Sequence, residues 1–417
     1  MTMPLIDRKL ARDVLFALGN HPVVFVNGPR QAGKSTLVQA LSKTDYPAEY
    51  VTFDNATQLA AASSSPETFL ASRKGPLIID EVQLAPELFR SLKIVVDDLR
   101  MNDGEKANGR FLLTGSANIM ALPRLSDPLV GRMSVKTLYP FAGCEITDGQ
   151  GDFLARLFEK DFGALAQADA SLNDIIRSAT FPEISGKNDS VRGEWFDAYL
   201  TTILQRDVRS LSGLEKIAAL PTLLRILANR AGSLMNDAAI ARDVGLNSVT
   251  SKSYRGILQA MFLAFDVRPW HRNISKRLVK SPKGYLVDSQ LLCHLLDWNL
   301  DDLAQRKPDL YGHVVENFVA TELQKLLAFS QIRANLLHFR TSDNKEVDFV
   351  LERPNGELAA IEVKSADIVS TRDFQGMKAL REATGEDFIV GIVLYSGRSV
   401  VPFGENLFAV PLAALWK

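Results

Sequence analysis

Residues 28–35 read GPRQAGKS, with Thr36 following. This glycine-bounded loop ending in a lysine and a hydroxyl has the residue types and spacing that hold a nucleoside triphosphate. Gly28 and Gly33 let the segment Gly28, Pro29, Arg30, Gln31, Ala32 and Gly33 curl so that backbone N–H groups converge on phosphate oxygens. Lys34 then reaches the terminal phosphates, Ser35 offers its hydroxyl to Mg²⁺, and Thr36 sits beside it in the first helical turn. An apolar run that ends in two acids, LIIDE at 77–81, places Asp80 to hold the Mg²⁺ shell and Glu81 to polarise the attacking water. The run FLLTGSAN brings Thr114 and Ser116, and after them Asn118, to a strand tip where hydroxyls can sense a γ-phosphate. The chain has no NKxD base-reading sequence, so ATP is expected rather than GTP, and no GxSxG, HExxH or Ser/His/Asp constellation supports hydrolase chemistry of another kind.

A second group with catalytic potential lies near the C-terminus. EVDFVL and LAAIEVK are strand-like runs joined by the turn signal ERPNGE. A hairpin symmetric about Asn355 sets Asp348 opposite Glu362 and puts Lys364 on the same face two residues on. Two carboxylates and a lysine are what a Mg²⁺-dependent phosphodiesterase uses, and Glu316 on the preceding helix can add a third carboxylate. A vestigial site or a plain salt bridge would use the same residues.

Between these groups the chain reads as a helix-turn-helix. Asn236 or Asp237 can cap one helix, Gly245 can make the turn, and Ser248 can open the second, with Thr250, Ser251, Lys252 and Arg255 expected on its exposed side. The segment 268–283 carries Arg268, Arg272, Lys276, Arg277, Lys280 and Lys283 and no acid, as a basic wing touching DNA phosphates would. A merely solvated face, or a winged module that contacts protein, fits the same residues.

The elements that must position these groups follow from the apolar pattern. Short β-branched runs at 23–26, 50–53, 77–80, 111–115 and 134–139 alternate with helical stretches, which implies a parallel sheet covered on both faces. The expected organisation is a P-loop domain over 1–145, a helical, lid-like region over 146–212, a winged helix-turn-helix over 213–300 and a mixed helix and strand domain over 301–417. A length of 417 residues, 46% apolar and 23% charged, has room for several such cores, and a net charge of −1 excludes a wholesale polycation. Cys144 and Cys293 lack any CxxC or Cys/His spacing, which leaves out a disulfide framework or zinc site. With charges in MTMPLIDRKL and no apolar run of membrane length, a soluble, cytoplasmic protein with no membrane partner is expected.

The set GPRQAGKST, LIIDEVQ, RFLLTGSAN and LVGR at 129–132 resembles the bacterial and archaeal AAA-type ATPases in which a P-loop domain is fused to a poorly characterised C-terminal region. The resemblance runs through nearly the whole chain and also takes in AYLTTILQRDVRSL, whose Arg206 and Asp207 read as an ion pair or a lid contact. It implies ATP binding and hydrolysis, with Arg132 near the nucleotide as a sensor or as a finger presented to a neighbouring subunit, which would require a homo-oligomer. A surface salt bridge is the plainer role for Arg132. The D…ExK spacing similarly resembles the restriction-endonuclease-like fold that this group carries at its C-terminus, with Glu316, Asp348, Glu362 and Lys364 as the matching positions. The function expected first is therefore Mg·ATP hydrolysis coupled to DNA binding or processing. The alternative is a nucleotide-controlled regulator that binds proteins and has an inactive nuclease-like domain.

Overall fold

The computed structural model describes residues 6–116, 129, 131–163, 170–204, 217–273, 275, 277 and 280–417. Asn118, Arg206, Asp207 and Lys276 lie outside the described residues. The chain is α/β and divides into two compact units, one of residues 1–140 with 181–183 and 260–262, the other of the remainder.

In the first unit, β1 (Val23–Asn27), β2 (Glu49–Thr52), β3 (Leu77–Asp80), β4 (Phe111–Gly115) and β5 (Met133–Thr137) form a sheet of order β2-β3-β4-β1-β5. All its pairings are parallel, as in Val23↔Phe111 and Leu77↔Phe111. β1, β3 and β4 are buried along their whole length, which is why they read as continuous apolar runs. Val23, Phe25, Ile79, Phe111 and Leu113 pack with Phe89, Leu92 and Val96 of the helix Leu88–Asp103 in one apolar cluster. β4 lies between β1 and β3, so the P-loop after β1 and the acids at the end of β3 open at the same carboxyl edge of the sheet.

The second unit holds an eight-stranded mixed sheet of order β12-β13-β11-β10-β9-β8-β6-β7. Its strands are β6 (Ala264–Pro269), β7 (Lys283–Leu286), β8 (Asn335–Arg340), β9 (Glu346–Glu352), β10 (Leu358–Lys364), β11 (Phe388–Tyr395), β12 (Val401–Gly404) and β13 (Leu407–Pro411). The register Leu358↔Glu352 to Ile361↔Phe349 is the hairpin centred on Asn355 that the sequence predicts. Helices Asp237–Val244 and Ser248–Ala260 form as expected, capped by Asn236 and separated by Gly245 in the left-handed region. The hairpin that follows them is not a free wing, however. β6 pairs antiparallel with β7 and, through Arg268↔Leu337 and Pro269↔His338, parallel with β8. It thereby extends the C-terminal sheet across the expected boundary at residue 300. Among the described residues, no helix is long and apolar enough to cross a membrane.

Candidate functional sites

The P-loop begins where β1 ends and closes onto the helix Lys34–Lys43. Gly28 has φ +144°, and a Cβ there would lie 2.1 Å from the carbonyl oxygen of Leu138, so only glycine fits without moving backbone. Gly33, at φ +93°, completes the curl before the helix. The Lys34 side chain is 4% exposed, and its Nζ donates to the carbonyls of Gly28 (3.0 Å) and Pro29 (2.8 Å). Burial pulls the Lys34 pKa down to about 8, while Glu81 and Asp80 oppose that shift. An ammonium already drawn into the loop fits the chemistry of a triphosphate, whose oxygens would replace those carbonyls.

Asp80 is buried at the tip of β3 and is gripped on both oxygens. Tyr50 donates its hydroxyl to Oδ2 at 2.7 Å, and Thr114 donates to Oδ1. Thr114 also accepts the Glu81 backbone N–H at 3.1 Å. Glu81 sits in the left-handed region at φ 56°, which turns its carboxylate out of the strand line. That carboxylate accepts from Gln83, and Gln83 Nε2 also lies 3.0 Å from Ser116 Oγ. Thr114 thus meets both acids, and Ser116 reaches Glu81. Arg132 forms a two-pronged ion pair with Asp97, Nε–Oδ1 at 2.5 Å and Nη2–Oδ2 at 3.0 Å, which is the plainer of its two expected roles. Sequence reading missed Arg8, whose guanidinium donates to the carbonyls of Ala32 (2.7 Å) and Tyr139 (2.6 Å) and so braces the loop from behind. It lies in a charged N-terminal stretch that carries no periodic signal.

In the second unit the expected C-terminal residues do converge, but around a cation supplied by the chain. Lys283, 2% exposed, has its Nζ 3.1 Å from Glu316, 2.6 Å from Glu346 and 2.9 Å from Asp348. Asp348 Oδ2 accepts the Val363 N–H at 3.0 Å, and Tyr285 donates to Glu316 at 2.7 Å. Glu362 and Lys364 pair at 3.3 Å, with Asp373 3.7 Å from the same ammonium. Burial, reinforced by Asp348, raises the Glu316 pKa to about 7 and lifts Glu362 well above the carboxylate range. Among the described residues no three His, Cys, Asp or Glu side chains are arranged to hold a metal ion. Glu316 and Asp348 are both engaged by the Lys283 ammonium instead. Lys283 escaped sequence reading because it was counted with the basic run. Its signal was the strand KGYL, in which Lys283 and Tyr285 share one face.

The basic readers expected in the middle region need correction. Arg255 is buried, not exposed, and its guanidinium pairs with Asp266 at 2.7 Å and Asp237 at 3.0 Å. Ser251 is buried as well. Arg277 pairs with Glu352, 2.5 Å apart, and stacks near Trp270. Lys252, Arg272 and Lys280 are exposed.

An AAA-domain family model matches residues 20–147, so the first unit carries an AAA-type ATPase domain. Two domain-of-unknown-function models, DUF8612 and DUF4143, match residues 169–302 and 311–415. Uncharacterized proteins Rv2008c of Mycobacterium tuberculosis and Mb2031c of Mycobacterium bovis are each 30% identical over 416 residues, covering 98% of this chain and 84% of theirs. The chain belongs to the family of these two mycobacterial proteins. An uncharacterized Haemophilus influenzae protein is 21% identical over 358 residues, 81% of each chain. Among solved structures, a Thermogota maritima RuvB mutant matches at 19% identity and TM-score 0.31, covering 66% of this chain and 96% of its own. Cdc6p from Pyrobaculum aerophilum matches at 11% identity and TM-score 0.27, covering 71% and 97%. Likeness this slight carries no argument about partners.

Proposed function

We propose that this AAA-type ATPase is a Mg²⁺-dependent, ATP-hydrolysing switch whose second unit binds a macromolecular partner and does not cut nucleic acid. The observation that carries the ATPase mechanism is the linkage of Thr114 to both Asp80 and Glu81 beside the buried Lys34. Lys34 would hold the terminal phosphates, Ser35 and Asp80 the Mg²⁺, and Glu81 would orient and polarise water. Bound Mg²⁺ would supply charge neutralisation at the phosphoryl oxygens. Release of Gln83 by Glu81 and Ser116 is the protein motion that would report the γ-phosphate.

The regulator reading is favoured over the DNA-processing one because Arg255, Arg277 and Lys283 are engaged in internal ion pairs. Their charge is spent inside the fold. The exposure of Lys252, Arg272 and Lys280 supports the second reading, DNA binding by the helix-turn-helix. An oligomer in which Arg132 reaches a neighbour's nucleotide would first require it to leave Asp97. Steady-state ATP hydrolysis, with Lys34→Ala and Glu81→Gln as blanks, should be measured with and without single-stranded, duplex and branched DNA at low salt. Hydrolysis unaffected by DNA supports the switch, several-fold stimulation moves the weight to DNA processing, and no hydrolysis above the blanks removes the ATPase mechanism.

A further inference from the structure

Four carboxylates crowd the face of the C-terminal sheet. Glu316 comes from the helix Pro308–Phe329, Glu346 and Asp348 from β9, and Glu362 from β10. Buried carboxylates this close repel unless a cation lies among them. Lys283 is that cation: its Nζ, on a side chain 3% exposed, touches three of the four. The oxygens stand 2.6 to 3.1 Å from the nitrogen. Those are hydrogen-bond distances for an ammonium, whereas Mg²⁺ needs oxygens at about 2.0–2.1 Å.

The surroundings fix the ammonium there. β7 delivers Lys283 from the sheet edge through its pairing with Val267, and Gly232 closes over the site. A Cβ at Gly232 would stand 3.0 Å from a Glu316 carboxylate oxygen. Among the described residues, Glu362 Oε2 has no hydrogen-bond partner. His338, 2% exposed on β8, faces the backbone of Ser281. His338 interacts electrostatically with both Lys283 and Asp348. The cluster therefore keeps in Glu362 Oε2 a ligand atom that Lys283 does not use.

We propose that Lys283 is the resident cation of a nuclease-like centre and excludes divalent metal from it, and that its removal opens a metal site built from Glu316, Asp348 and Glu362. This rests on the reading that the second unit is not a working nuclease. The site is specific for the chain's own ammonium, and the sheet around it works without metal.

The test uses the full chain without nucleotide, with Mn²⁺ as probe and free Mn²⁺ followed by electron paramagnetic resonance. Wild type and Lys283→Arg should show no Mn²⁺ uptake that depends on Asp348. Lys283→Met should gain one site at least about tenfold tighter than any in wild type, lost again on adding Asp348→Asn. Folded Lys283→Met, judged by circular dichroism and unchanged ATP hydrolysis, that gains no site would overturn the proposal. If Lys283→Met does not fold, wild type alone decides: Mn²⁺ uptake abolished by Asp348→Asn overturns it, and none sustains it. ATP hydrolysis lost only in Lys34→Ala is a separate readout, so failure of the metal inference is distinguishable from failure of the ATPase mechanism.

Discussion

The Thr114 hydroxyl donates to Asp80 while its oxygen accepts the Glu81 N–H at 3.1 Å, so one side chain on β4 sets the geometry of both acids at the tip of β3. Thr114→Val keeps the shape and removes both hydrogen bonds. Asp80 then keeps Tyr50 alone among the described residues, and Glu81 loses the bond that anchors its left-handed backbone. One such bond contributes about 1–1.5 kcal/mol, which is about tenfold in rate if it acts on the transition state. ATP turnover should fall about tenfold with nucleotide affinity nearly unchanged. Steady-state kinetics alongside titration of a fluorescent ATP analogue measures both, and an equal loss of affinity would place Thr114 in binding instead.

Lys34 gives a pH dependence with a definite sign. Its pKa is lowered to about 8 in the nucleotide-free fold, below the ordinary lysine value, because burial disfavours the ammonium. The folded state therefore binds fewer protons than the unfolded state between pH 8 and the unfolded lysine pKa. In that window stability should rise with pH, while below it the full cost of burying the charge is present. ATP requires the charged form, so affinity should move the other way. From about pH 7 to about pH 9 the ammonium fraction falls about tenfold, and the Kd for ATP should weaken by a similar factor. Lys34→Ala should bind weakly with no such slope, which equilibrium titration across the range will check.

The elements of the first unit were largely legible because each buried parallel strand is a continuous apolar run, and each acts within a few residues of its motif. Asp80 and Thr114 could be placed in one site without knowing the sheet order. The second unit was legible only locally. The β9–β10 register follows from one turn about Asn355, so Asp348 and Glu362 were correctly brought together. What failed was charge arithmetic over a distance. Arg277 and Lys283, inside the basic run 268–283, were counted as solvent-facing, yet their partners lie elsewhere: Glu352 is 75 residues from Arg277, and Asp348 is 65 from Lys283. No local period announces such pairs. Only the sheet order, with β6 and β7 placed beside β8 and β9, creates them.

Arg255 and Lys252 separate structure from recognition on a single helix. Arg255 ties Ser248–Ala260 to Asp266 on β6 and to Asp237 on the preceding helix. Arg255→Ala leaves two half-buried carboxylates without their cation and should destabilise the second unit by about 1–2 kcal/mol. Lys252 is exposed, and Lys252→Ala should leave stability within about 0.5 kcal/mol. Urea unfolding of the two variants reads the difference. If DNA binds this helix, Lys252→Ala should also lower the salt slope by about one unit. Equal stability loss in both would return Arg255 to the surface role.

Glu322 and Lys325 form a fully buried ion pair on the helix Pro308–Phe329, 2.8 Å apart with side chains 0% and 3% exposed. It also holds the segment that opens this unit. Lys325 Nζ donates to the carbonyls of Phe141 (2.8 Å) and Ala179 (3.0 Å), and Glu322 accepts the Gly143 N–H at 2.7 Å. Lys325→Met strips these carbonyls of a donor and leaves Glu322 an uncompensated buried charge, at a cost of about 3–5 kcal/mol. Burial already raises the Glu322 pKa, with Lys325 the chief opposing influence. Without that ammonium the carboxyl should take up a proton in the folded state, so the variant's stability should fall as pH rises through that raised pKa. Adding Glu322→Gln removes the charge while keeping an acceptor for Gly143, and should recover about half the loss. Urea unfolding of wild type, Lys325→Met and the double variant at acidic and neutral pH measures this. A single variant whose deficit is the same at both pH values would mean that Lys325 acts through its carbonyl contacts alone.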